Sequence, residues 1–100
     1  NYKMKSVFIA FDQAYKESIV DLLTHLNCRG FSMIEQLQVR GSVNGDPHYG
    51  NHAWPSMCSG IITIVEDSVV DLLLERLHQM DVATEKLGLR AFVWNIEKSI

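Results

Sequence analysis

His48 and His52 bracket Tyr49, Gly50 and Asn51 inside the segment NGDPHYGNHAWP, Asn44 to Pro55, which holds two of the four histidines and both prolines of the chain. A folded segment can bring two imidazoles so spaced to one ion, with Asp46 or Cys58 as a third ligand. The histidines would bind as neutral donors and Cys58 as thiolate, and copper, nickel and zinc are all compatible with such a set. The spacing His-x-x-x-His is strongest on a helix, and Pro47, Gly50 and Pro55 disfavour one here. The competing reading is structural: Trp54 anchors the segment by packing with Pro55 on a neighbouring subunit, and the histidines are ordinary polar loop residues.

Other reactive side chains have plainer explanations. His25 and His78 fall late in two helical stretches, where positive charge complements the helix dipole. Glu66, Asp67 and Asp71 cluster at a helix start, which the same dipole accounts for without acid-base work. No nucleophile, base and orienting group are spaced as a catalytic set, so no enzymatic activity is expected. The two cysteines, Cys28 and Cys58, are expected to stay reduced, Cys28 as a small buried hydrophobe.

The chain has 100 residues, 47% of them hydrophobic and 21% charged, with a net charge of −3. This size supports one domain, spanning residues 1–100, and one core. Scattered basic residues and a negative balance argue against nucleic acid as a partner. No apolar run approaches the roughly 20 residues needed to cross a bilayer, and no stretch reads as a secretory leader, so the expected location is cytoplasmic.

The elements that must position these residues follow from periodicity. Val7 to Phe11 is a short apolar run that reads as a buried strand. Asp12 can cap the helix that follows, in which Tyr15, Ile19, Leu22, Leu23 and Leu26 recur at helical spacing, with Gly30 as the stop. Phe31 to Arg40 alternates, placing Phe31, Met33, Leu37 and Val39 on one face of a second strand. Gly60 to Val65 is a third strand; Ser68 with Asp71 resembles a capping box ahead of a helix marked by Val70, Leu73, Leu74, Leu77 and Met80. Leu89 to Ile96 supplies a fourth strand after Gly88. The run Ile19-Val20-Asp21-Leu22-Leu23 recurs as Val69-Val70-Asp71-Leu72-Leu73 in the second half.

A doubled βαβ of this length predicts an α+β, ferredoxin-like βαββαβ sandwich: a four-stranded antiparallel sheet with two helices on one face. Strands one, three and four carry large apolar residues on both faces, and two helices can bury only one set. The other set is expected to be covered by further copies of the chain.

Three stretches carry a family resemblance across Lys5 to Ile100: GFSMIEQLQVRG at Gly30 to Gly41, IITIVEDSVVDLLLERL, and AFVWNIEKSI. In this order and spacing they resemble the PII-like superfamily, which includes the nitrogen-regulatory PII signalling proteins and the CutA proteins. The resemblance implies a homotrimer with sheets facing inward, and a small regulatory protein whose segment 41–58 is a signalling or ligand loop. It implies an adenine nucleotide in the clefts between subunits, with Arg40 and Gly41 at the loop base, Lys86 in the connection before the last strand, and Arg90 where PII has a phosphate-contacting lysine. A protein partner reached through residues 41–58, such as a membrane transporter, is implied as well. Departures are visible: Val43 stands about where PII uses a glutamine, Ala83 to Gly88 replaces a glycine-rich phosphate loop, and the trailing arginines have no counterpart up to Ile100. The CutA likeness instead implies a divalent-metal-binding or metal-tolerance protein using the loop histidines.

Overall fold

Val7, Ile9 and Phe11 share one side of the first strand because side chains alternate across a pleated backbone, and all three are fully buried. The computed structural model describes residues 3–28, 30–37, 58–83 and 88–100. In chain order these form β1 (Met4–Asp12), a 3-10 turn (Gln13–Tyr15), α1 (Lys16–His25), β2 (Phe31–Leu37), β3 (Cys58–Glu66), α2 (Asp67–Ala83) and β4 (Leu89–Asn95). The sheet order is β2-β3-β1-β4 with every neighbour antiparallel. The expected sandwich is therefore the observed one.

The sheet face that meets the helices, ambiguous from composition, is the odd-numbered one. Val7, Ile9, Phe11, Ile61, Val65 and Leu89 join Tyr15, Ile19 and Leu23 of the first helical unit and Val70, Leu73 and Leu77 of α2 in one buried cluster. Both expected helical stripes are thus the buried stripes. Tyr15 also donates its hydroxyl proton to the Met80 carbonyl at 3.3 Å, tying the two helical units together.

The helix ends show where local chemistry decides. Asp12 accepts from the Ala14 amide at 2.9 Å, the capping role expected of it, although the chain makes a 3-10 turn before α1 begins. Asn27, at φ 62, rather than Gly30, stops α1. The Asn27 amide reaches the Thr24 carbonyl and the Cys28 amide reaches the Leu23 carbonyl at 2.7 Å, the paired bonds of a Schellman motif, in which Asn tolerates the left-handed position. At the start of α2 the helix begins at Asp67, so Ser68 lies within its first turn and is not the capping residue.

β2 departs from simple alternation. Ile34 pairs with Gly60 but Leu37 with Cys58, so β2 advances three residues while β3 advances two. One extra residue is a β-bulge, and a slip of one residue sends the following side chains to the other face. Met33 packs against the helix-side core, whereas Leu37 lies over Gly60 beside Phe8 on the opposite face. The single face expected for Phe31, Met33 and Leu37 is therefore split, and Val39 lies outside the described residues. The bulge is held at the Glu35 carbonyl, which accepts from Ser59 Oγ at 2.7 Å and Gln13 Nε2 at 3.5 Å.

On the face away from the helices, cross-strand rows place Ser32, Ile62, Phe8 and Phe92 in line, with Ile64, Ser6 and Trp94 in the next row. Ile64, Phe92 and Trp94 keep 46%, 46% and 49% of their surface exposed. Ser6, between Ile64 and Trp94, is buried, and so is Ala10, between Gly60 and Arg90. This face is apolar and uncovered in the single chain.

Candidate functional site

The strand registers bring the flanks of two connections to one end of the sheet. Leu37, which precedes residues 38–57, pairs with Cys58, which follows them, and Cys58 in turn pairs with Asp12. Leu89 pairs with Phe11, and the Asp12 amide donates to the Gly88 carbonyl at 3.4 Å, so the connection from α2 into β4 arrives at the same end. Gly88 adopts φ 83 there, a conformation that glycine reaches without steric cost. Topology alone therefore gathers the flanks of residues 38–57 and 84–87 around Asp12.

Two of the sequence-derived site residues lie in the described structure, both at this end. Arg90 is the second residue of β4, opposite Ala10. Its Nη1 donates to the Leu89 carbonyl at 2.6 Å and meets Asp81 Oδ2 of α2 at 3.4 Å. The side chains of the pair are only 16% and 19% exposed, so the contact is shielded from solvent more than a surface ion pair is. Cys58 is buried, and its Sγ donates to the Ser59 carbonyl at 3.4 Å. Arg40, Gly41 and Lys86, proposed for ligand binding, lie outside the described residues, as do Asp46, His48, His52 and Trp54 of the metal and anchor readings.

Cys58 has a chemistry the sequence did not show. Burial pushes its thiol above the ordinary value; a hydrogen bond from the Phe11 backbone pulls the other way, and the nearby Asp12 carboxylate raises it further. A metal ligand has to be a thiolate, so binding an ion here would first have to displace a firmly held proton. Among the described residues no group of three or more His, Cys, Asp or Glu side chains is placed to hold a metal ion. His25 does occupy the last turn of α1, but His78 is not in the last turn of α2 and has no dipole role there.

Both cysteines are free thiols, as expected, and burial raises the Cys28 thiol too. A thiol whose pKa is raised by folding contributes stability that is present below its unfolded value and lost as pH climbs through the folded value. The melting temperature is therefore expected to fall as pH rises above about 9, the unperturbed thiol value. A Cys28→Ala, Cys58→Ala variant should show a shallower decline between pH 8 and pH 10.5 by differential scanning fluorimetry; parallel curves for the two proteins would contradict this.

The residue that sequence reasoning missed is Asp81. A carboxylate in the last turn of α2 opposes the helix dipole, and that misfit is a legible sign of a local cationic partner. Among the described residues no helix is long and apolar enough to cross a membrane.

A two-helix layer on a four-stranded antiparallel sheet with order β2-β3-β1-β4 defines a ferredoxin-like α+β protein. No family model matches the chain and no curated protein matches its sequence. Solved structures do. The apo form of CPII from Thiomonas intermedia K12, a nitrogen-regulatory PII-like protein, is 25% identical with a TM-score of 0.71, covering 95% of this chain and 90% of that one. CPII bound to ADP, AMP and acetate gives 24% identity and a TM-score of 0.74 over 99% of this chain and 91% of that one. A Thermus thermophilus protein assigned to PII-like signalling proteins gives 20% and 0.68 over 95% and 87%. The chain has the same fold as these PII-like proteins.

Proposed function

We propose that this chain is a PII-like regulator that binds an adenine nucleotide where the flanks of residues 38–57 and 84–87 converge, and reports occupancy through residues 41–58 to a protein partner. The observation that carries the reading is the near full-length structural likeness to CPII, which has been solved with ADP, AMP and bicarbonate. Arg90 supports it from this chain, because it sits at the convergent end of the sheet and a guanidinium recognises phosphate oxygens with directed hydrogen bonds. The apolar face of Ile64, Phe92 and Trp94 supports assembly of the chain as a homotrimer, with the nucleotide cleft between subunits. The ligand is bound and sensed rather than chemically turned over. Neither the described residues nor the comparisons favour the CutA-type metal reading.

Thermal denaturation with ATP, ADP and AMP, each with and without bicarbonate, tests the proposal. A nucleotide that binds only the folded state stabilises it by about 2.7 kcal/mol at a hundred times its dissociation constant. For a domain of this size that corresponds to a rise of about 10–20 °C in melting temperature. A flat response to all three nucleotides at millimolar concentration, with and without bicarbonate, would overturn it.

A further inference from the structure

Asp81 and Arg90 stand on opposite flanks of the connection between α2 and β4, and their 3.4 Å contact closes across it. Strong charge-assisted pairs sit near 2.7–2.9 Å, so this contact is a long one, made by a group that also donates to the Leu89 carbonyl. The carboxylate lies at the C-terminal end of α2, where the helix dipole disfavours negative charge, and it retains that place beside a guanidinium. Both side chains are largely shielded, so a phosphate that engages Nη1 of Arg90 competes with the carboxylate for it rather than meeting a solvated cation.

We infer that Asp81 is an internal competitor for the phosphate of the nucleotide: its carboxylate holds Arg90 in the unliganded chain and is exchanged for a phosphate oxygen on binding. The inference rests on the nucleotide reading above and adds its regulation. Asp81 sets the affinity threshold at which the site responds. The exchange concerns phosphate only, so a nucleoside without phosphates gains nothing from removal of the carboxylate.

Isothermal titration calorimetry with ADP, and with adenosine as the phosphate-free control, tests this on the wild type and on Asp81→Asn, Asp81→Ala, Arg90→Ala and the double variant Asp81→Asn, Arg90→Ala. The expected result is ADP binding about tenfold tighter in both Asp81 variants, within the range of coupling between contacting groups. Arg90→Ala should weaken binding, the double variant should show no gain over Arg90→Ala, and adenosine should be unaffected throughout. Loss of a merely structural ion pair would lower the melting temperature without tightening ADP. Unchanged or weaker ADP binding in both Asp81 variants, with the wild type binding, overturns the inference and leaves the nucleotide reading standing. Binding by the Asp81 variants alone supports it in its strongest form, and binding by none of the proteins overturns both.

Discussion

Phe11→Ala will destabilise the protein by about 3–5 kcal/mol, the range for truncating a fully buried aromatic. Phe11 has no exposed surface and is among the largest fully buried side chains of the core. It pairs with Ser59 on β3 and Leu89 on β4, so its ring fills the core at the end of the sheet where the two connections converge. Truncation loses the transfer energy of the ring and leaves a cavity that three hydrogen-bonded strands cannot readily close. Against a total stability of about 5–15 kcal/mol for a typical domain, this is a large share. Urea denaturation should show a lower midpoint at unchanged slope, which separates a loss of stability from a change in the unfolded state. A cost under about 1 kcal/mol would mean the site collapses freely, contrary to the close packing of a native core.

The order of elements, both helical stripes and the two-faced apolar strands were legible because each depends on periodicity over many residues. What escaped depends on single residues. The stop of α1 at Asn27 rather than Gly30 turns on one left-handed residue, and Asn can take that conformation as well as Gly. The bulge in β2 needs one extra residue that no side chain in Phe31 to Leu37 announces, and it reverses the direction of Leu37. The pairing of apolar faces with helices was undecidable from composition, since Phe8, Ile62 and Phe92 are as apolar as Val7, Ile61 and Val93. Within the candidate site, Arg90 was found through resemblance and its partner Asp81 was not, because an ion pair across a connection leaves no periodic trace. Cys58 was read as a potential thiolate, but its environment is decided by burial and by Asp12, which lies far away in sequence and opposite it in the sheet.

A Phe92→Glu, Trp94→Glu variant is expected to fold and to lose assembly. In the single chain these side chains are 46% and 49% exposed on the face away from the core, so two carboxylates there can remain hydrated without disturbing Val7, Ile9 or Phe11 beneath the helices. In an assembly that covers this face the same carboxylates would be buried without partners, at a cost of several kcal/mol per charge, repeated in every subunit. Light scattering at micromolar concentration should give the wild type three times the chain mass of 11.4 kDa and the variant the chain mass itself, with matching far-UV circular dichroism. A wild type already at the chain mass would leave the apolar face without the proposed cover; a variant that stays at the wild-type mass would move the interface to another surface. Because the proposed nucleotide cleft lies between subunits, the monomeric variant should also lose the ADP-dependent rise in melting temperature. If it kept that rise in full, the end of the sheet around Asp12 and Arg90 would hold the nucleotide within one chain, and the exposed face would serve assembly alone.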